Sequence, residues 1–148
     1  MREILFRAKR IDNGEWVEGL PQKMWGEWHI INPEYENTAY PIDPETLCQY
    51  TGLTDKNGKR IWENDIVSNK WCFMRGNSVI RYGEYKDFHM PEKFKCGNLG
   101  FYLEHVDMRE STYTRKDMMY FAENCEVIGN IFDNLELLGE DLHAEKNT

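Results

Sequence analysis

Long apolar runs are missing from this chain of 148 residues. No stretch approaches the ~18 apolar residues that a membrane-spanning helix needs. The amino-terminal sequence MREILFRAKRIDNG turns to charged residues before the apolar core of a signal peptide forms. We therefore expect a cytoplasmic protein, with neither a membrane span nor a secretory signal and with no membrane among its partners.

Close cysteine pairs are also missing. The four cysteines, Cys48, Cys72, Cys96 and Cys125, form no C-x-x-C pair, and none of them is adjacent to a histidine. Structural zinc sites typically use such pairs. The spacing therefore predicts no metal site, and we also expect no cofactor. Without a signal peptide, free thiols are favoured over disulfides.

Basic residues are too few to outline a nucleic-acid surface. The chain has 18 Lys and Arg against 26 Asp and Glu, a net charge of −8. The residues from Asp133 onward include five acidic residues and one lysine, so this segment carries −4 of the total charge. Duplex DNA binding needs a basic stripe that displaces counterions, and none is visible, so we expect no duplex DNA as a partner. The acidity leaves one alternative open, an acidic decoy that binds a nucleic-acid-binding protein.

Short alternating segments dominate what the sequence does contain. Aromatic residues make up 14% of the chain and favour pleated strands. Apolar and polar residues alternate over short runs, the period of a half-buried strand. The pattern predicts a mostly β protein of short antiparallel strands and hairpins. The predicted strands are REILFRAK, EWVEGL, KMWGEWHII, WCFM, SVIRYGEY, LGFYLEHV and CEVIGNIF.

Two Asn-Gly pairs predict hairpin turns. Asn13-Gly14 and Asn57-Gly58 each precede an alternating segment, and Asn-Gly is the preferred pair of a type I′ turn, in which both residues have positive φ. The intervening segment INPEYENTAYPIDPET contains three prolines and is predicted to be a loop. At its end, Asp43 is expected to cap one helical turn that starts at Pro44.

The carboxy-terminal segment indicates a short helix. Leu135, Leu138 and Leu142 recur at helical spacing, with Asn134 as the cap. The run NDIV, several short strands and a polar hairpin are similar to the layout of a small SH3-like barrel in the C-terminal part. The segment STYTRKDMMYFAEN fits either a capped helix or a strand, and a strand is favoured. The predicted domains are an N-terminal β-hairpin subdomain, 1–54; a C-terminal β-barrel-like subdomain, 55–138; and a flexible acidic tail, 139–148.

The best candidate for a catalytic site is the run YLEHVD. It holds Glu104, His105 and Asp107, and His89 lies not far before it in the sequence. A hydrolase with a His/carboxylate site is therefore an alternative function. In a strand, however, His105 would point away from Glu104, so one face would not hold both. We therefore expect no enzyme.

Five tryptophans allow an interaction surface. Tryptophan is enriched at binding hot spots, although each ring is more often part of a core. If KMWGEWHII is one strand, Trp25 and Trp28 face opposite sides, so one of them is unlikely to reach the core. Many short strands and little helix also leave sheet edges to be covered. We therefore expect a homo-oligomer with this segment as the contact.

Three stretches of the sequence stand out: REILFRA, YTGLTDKNGKRIWENDIV and VIGNIFDNLELL. They begin at residues 2, 50 and 127, so they extend over nearly the whole chain. Together they resemble the YopX family of conserved phage and prophage proteins. The residues that carry the resemblance are Arg2, Phe6, Arg7, Ala8, Tyr50, Thr51, Gly52, Leu53, Asp55, Asn57, Gly58, Ile61, Glu63, Asp65, Ile66, Val67, Val127, Ile128, Gly129, Asn130, Ile131, Asn134, Leu137 and Leu138.

The resemblance implies a fold more than an activity. The family consists mainly of small, largely β phage-encoded proteins without an established biochemical activity, so no catalytic residue is transferred. It implies an accessory protein that acts as a non-catalytic binding or assembly module, with a phage or host protein as partner. The family motif usually has Gly where this chain has Asn64, and Asn tolerates the left-handed conformation best among other residues. The residues expected to form the structural motif are Gly52, Asn57, Gly58, Asp65 and Gly129.

Overall fold

A computed structural model describes residues 3–34, 38–68, 77–85, 98–105 and 122–138. The fold is mostly β, as predicted, with antiparallel strands in two sheets. The chain divides into two compact units, Met1–Gly52 and Leu53–Thr148. The domain limits and the barrel inferred from the sequence stay predictions, and residues 139–148 lie outside the described ranges. In the described part of the chain, no helix is long and apolar enough to cross a membrane.

The first unit contains an antiparallel sheet. Its strands follow the order β4-β3-β2-β1-β5, and β5 continues into the second unit, where β6 (Arg60–Trp62) is the sixth strand of the order. The core of the unit consists of Ala8, Ile30 and Ile42, with Val17 and Leu47 against them. The strands are β1 (Phe6–Lys9), β2 (Trp16–Met24), β3 (Glu27–Ile31), β4 (Ala39–Pro41) and β5 (Cys48–Thr54).

The described part of the proline-rich segment contains a short strand where a loop was predicted. Pro41 lies in β4, which ends the sheet order, and an edge strand tolerates a residue without an N–H. The carbonyl of Pro41 accepts a hydrogen bond from the Ile11 N–H at 3.0 Å. The predicted helical turn is confirmed as a 3-10 helix, Pro44–Thr46, in which the Asp43 side chain accepts from the Glu45 N–H.

Both Asn-Gly pairs lie in hairpin turns, but the predicted type I′ geometry is wrong. Gly14 and Gly58 have φ of 72° and 79°, whereas neither asparagine before them has positive φ. In the second turn the Asp55 N–H donates to the Lys59 carbonyl, so the loop has three residues rather than two. Three-residue loops require the left-handed conformation only at their last residue, which is the glycine here.

The two-residue type I′ turn lies elsewhere, inside the segment predicted to be one strand. Trp25 and Gly26 have φ of 50° and 81° and connect Met24 to its cross-strand partner Glu27. KMWGEWHII is therefore the end of β2, a turn and β3. The alternation of apolar and polar residues did not reveal this turn. A turn of two residues keeps the apolar residues before and after it at alternate positions, so the segment looks like one continuous strand.

The second unit contains a four-stranded sheet in the order β10-β7-β8-β9. A core of buried aliphatic residues, among them Ile61, Val67, Ile80 and Leu103, belongs to this unit. Residues 136–138 are helical, which confirms the first part of the short terminal helix, and Leu142 lies outside the described residues. The predicted strand WCFM and most of STYTRKDMMYFAEN lie outside the described residues. The strands are β6 (Arg60–Trp62), β7 (Asp65–Ser68), β8 (Asn77–Tyr85), β9 (Asn98–His105) and β10 (Glu126–Asn130).

Candidate interaction surface and structural motif

Asp55 organises the central motif from a nearly buried position, with 5% of its surface exposed. Its Oδ1 accepts hydrogen bonds from the backbone N–H groups of Asn57 and Lys59, each at 2.9 Å. Its Oδ2 accepts from the N–H of Val127 in β10, also at 2.9 Å. One carboxylate therefore closes the Asn57-Gly58 turn and attaches it to a strand 72 residues away.

The hydrogen bonds to Asp55 determine its ionisation. Burial pushes the pKa of this carboxyl upward, but the amides of Val127, Lys59 and Asn57 favour the charged form and together outweigh burial. The pKa therefore lies below its ordinary value. The carboxylate stays charged and has its acceptor sites directed at backbone amides, so its function is structural.

Asp65 has a similar position at the next turn, where the chain passes from β6 to β7. Its side chain is 1% exposed, and Oδ2 accepts from the Trp62 N–H at 2.9 Å. Asn64 has φ of 68°, which confirms the prediction that asparagine supports the left-handed conformation here. Its N–H donates to the Ile80 carbonyl at 2.7 Å and its carbonyl accepts from Ile131.

Gly129 belongs to the third stretch and is needed for close approach. A Cβ at this position would lie 2.5 Å from the Asn134 Oδ1. That oxygen accepts from the Asn130 N–H, so Asn134 bonds back to β10. The Asn130 side chain in turn accepts from the Phe132 and Asp133 amides. Of the other predicted motif residues, Gly52 lies in β5 with φ of 84°.

The residues of the hydrolase hypothesis are not assembled in the described part of the chain. Glu104 pairs with Arg81, whose Nε lies 2.8 Å from the Glu104 Oε2, and Arg81 Nη1 donates to the Asn64 Oδ1. The His105 side chain, Asp107 and His89 lie outside the described residues. Within those residues, no group of three His, Cys, Asp or Glu side chains is placed to hold a metal ion.

Two of the four cysteines are described. Cys48 and Cys125 are buried thiols, and the Cys48 Sγ donates to the Thr46 carbonyl at 3.2 Å. Cys72 and Cys96 lie outside the described residues. Burial raises the pKa of Cys125 to about 12. Its thiol therefore stays protonated at neutral pH and is a poor nucleophile.

The tip of the β2–β3 hairpin presents the most exposed tryptophan among the described residues. Trp25 is 91% exposed, and its ring meets that of His29 edge-on at 6.4 Å between centroids. Trp28, in β3, is 37% exposed. Trp25 lies in the turn and not in a strand, so the premise that KMWGEWHII is one strand is wrong. The Trp25 ring contacts His29, whereas the register places Trp28 on the opposite face of β3 from His29, so the two rings lie on opposite sides as expected. Both tryptophans are therefore accessible.

A shallow apolar groove lies on the same hairpin. The register pairs Leu20 with Ile31 and Gln22 with His29, so these four side chains share one face of β2 and β3. We call this face, together with Trp25 at the tip, the hairpin face. Sequence reasoning missed Leu20, although Glu18 and Gln22 at alternate positions indicate a solvent-facing side. The groove, about 320 Å³ in volume, is lined by Leu20, Pro21, Gln22, Ile31 and Pro33.

We expect the Trp25→Asn substitution to stabilise the protein. A bulky residue with positive φ costs about 1 kcal/mol, whereas Asn-Gly is the preferred type I′ pair, so the gain should be about 0.5 to 1 kcal/mol. Thermal unfolding measures it. Trp28→Asn is the matched control and should lower the midpoint, since asparagine is unfavourable in a strand. A lower midpoint for Trp25→Asn than for the unchanged chain would contradict the expectation.

Comparison with known proteins places these features in a family. The chain is similar to protein EF1440 from Enterococcus faecalis, known from a crystal structure, at 22% identity and a TM-score of 0.47 over 93% of this chain and 99% of that one. No curated protein matches it. Residues 5–139 match the family model of the YopX protein, and this range includes the Asp55, Asp65 and Gly129 motifs. The chain therefore belongs to the YopX family.

Proposed function

We propose that this chain is a non-catalytic binding module of a phage or prophage, active in the host cytoplasm, and that the hairpin face is its contact surface for protein. The family resemblance supports the phage origin, and the lack of a signal peptide pattern in the sequence supports the cytoplasmic location. The contact surface rests on one observation, the nearly complete exposure of Trp25 at a strained turn.

Two properties of Trp25 support a binding role over a structural one. With 91% of its surface exposed, the ring contributes little to the core. The backbone there adopts a conformation that disfavours large side chains, and such strain is typically retained where function requires the side chain. Tryptophan supplies a large, rigid contact area and is enriched at binding hot spots.

The motif residues, in contrast to Trp25, have structural roles. The carboxylates of Asp55 and Asp65 accept hydrogen bonds from backbone amides, so these residues build turns instead of offering free acids. Glu104 is ion-paired with Arg81. Asp55 and Asp65 thus maintain the second unit, while the exposed apolar residues of the hairpin face belong to the first.

Site-specific photo-crosslinking tests this proposal. A photoreactive phenylalanine analogue replaces Trp25 in one variant and Ile11 in another. Ile11 is a matched control because it is also exposed, at 64%, but lies in the β1–β2 turn. We expect a protein adduct from position 25 and none from position 11, and the purified partner should bind the unchanged chain and lose that binding with Trp25→Asn. Identical adducts from both positions, or none from position 25, would overturn the proposal.

A further inference from the structure

We infer that the partner of the hairpin face is a second copy of this chain, and that Trp25 of each copy fills the apolar groove of the other. This inference rests on the proposed function, since it identifies the protein that the surface binds. The groove and the tryptophan lie on one face of one hairpin. A surface that carries both a protruding ring and a groove for it is self-complementary.

The spacing along the hairpin permits both contacts at once. Leu20 at the groove and Trp25 at the tip are five residues apart, which corresponds to about 16 Å at ~3.3 Å per residue. A two-fold axis midway between them, near the cross-strand pair Gln22 and His29, carries each tip onto the opposite groove. In a two-fold interface, a contact from one residue to another is always matched by its reverse. The two tryptophan contacts therefore form together.

The size of the contact predicts a weak dimer. The groove has a volume of about 320 Å³ and is lined by Leu20, Pro21, Gln22, Ile31 and Pro33. A tryptophan buries ~200 Å² and covers a similar area of its partner, so two contacts bury about 800 Å². This is below the ~1,200 Å² of standard stable interfaces and within the range of transient ones. Dissociation constants of about 10 to 100 µM are therefore expected.

Charge gives the association a characteristic salt dependence. Each copy carries a net charge of −8, so two copies repel each other. Between the groove and the tip, the titratable groups on the hairpin face are Glu27 and His29, and the lining of the groove is uncharged. Added salt screens the repulsion and leaves the apolar contacts intact. Dimerisation should therefore strengthen with salt, whereas binding to a basic partner would weaken.

Sedimentation equilibrium over about 5 to 500 µM protein, at ~0.1 and ~0.5 M salt, tests the inference. We expect the mass to rise from the monomer's 17.7 kDa toward twice that value, and to rise further at the higher salt. Trp25→Asn and Leu20→Lys should stay monomeric throughout, while Ile11→Asn, the matched exposed control, should dimerise like the unchanged chain. Melting curves of the same variants verify that each one is folded.

Mixing the two monomeric variants tests the reciprocal geometry. The Leu20→Lys chain keeps its tryptophan and the Trp25→Asn chain keeps its groove, so a mixed pair regains one of the two contacts. The mixture should associate more strongly than either variant alone and less strongly than the unchanged chain. No gain on mixing would overturn the reciprocal arrangement, and a monomeric mass for the unchanged chain at 500 µM would overturn the inference itself. Crosslinking from position 25 to a different protein would uphold the proposed function while the self-contact fails.

Discussion

Replacing Asp55 by asparagine should remove about 3 kcal/mol from the free energy of unfolding. The carboxylate accepts three backbone hydrogen bonds, and bonds to a charged acceptor contribute about 1.5 to 3 kcal/mol each, less where water reaches the amide. Asparagine keeps one acceptor oxygen but directs an NH₂ group at a backbone N–H. Since natural domains have about 5 to 15 kcal/mol of stability, such a loss is large. Urea unfolding measures it.

Asp12→Asn provides the matched control for this experiment. Asp12 is also an aspartate with a lowered pKa, held there by a hydrogen bond from the Arg10 side chain. It lies in an exposed turn, where solvent screens the ion pair. The urea midpoint of Asp12→Asn should equal that of the unchanged chain. If the two substitutions shift the midpoint equally, the buried hydrogen bonds of Asp55 do not stabilise the fold.

The pH dependence follows from the same carboxylate. Because the pKa of Asp55 in the folded protein lies below its unfolded value, the folded state binds the proton more weakly. This stabilisation is fully present above the unfolded pKa, about 3.9, and is lost as pH falls through the folded pKa. The difference in unfolding free energy between the unchanged chain and Asp55→Asn should therefore shrink below about pH 4. A difference that stays constant down to pH 2 would contradict this assignment.

Features determined by neighbouring residues could be predicted from the sequence. The cap of the helix at Pro44 needs only the preceding Asp43, and Asn64 needs only its own tolerance of positive φ. The Asn-Gly pairs identified turns but not their type, which depends on how many residues the strands leave unpaired. The residue types near each turn therefore indicate where the turn lies, whereas the pairing of the flanking strands determines its geometry.

Features that depend on distant residues could not be predicted. The Asp55 carboxylate bonds to Val127, 72 residues later, and nothing near either residue indicates the other. The hairpin face was found in part, since Trp25 was selected for its residue type, whereas Trp28, selected for the same reason, lies on the opposite face of β3. The groove at Leu20 needed the β2–β3 register, which the uninterrupted strand assigned to KMWGEWHII concealed. Residue types alone do not define the shape of a surface, so they do not identify the partner that the surface binds.

Gly19→Ala should destabilise the first unit by about 3 kcal/mol, the upper end of the range for overpacking. A Cβ at Gly19 would lie 2.2 Å from the Ile31 carbonyl oxygen and 2.9 Å from Cγ2 of the fully buried Ile30. The nearer atom belongs to the backbone, so relief requires β2 and β3 to separate rather than a side chain to rotate. Such a separation would also displace Ile30 from the core that it forms with Ala8 and Ile42.

Two other glycines separate this steric cost from the general effect of adding a methyl group. At Gly100 a Cβ meets nothing within 4 Å and φ is not left-handed, so alanine there should be neutral or slightly stabilising. At Gly14 space is also open but φ is +72°, so alanine should cost about 1 kcal/mol through backbone strain alone. Urea midpoints should therefore fall in the order Gly100→Ala, Gly14→Ala, Gly19→Ala. If the Gly19→Ala chain is as stable as the Gly14→Ala chain, β2 and β3 accommodate the methyl group at position 19. The close approach of the two strands at Gly19 would then not contribute to stability.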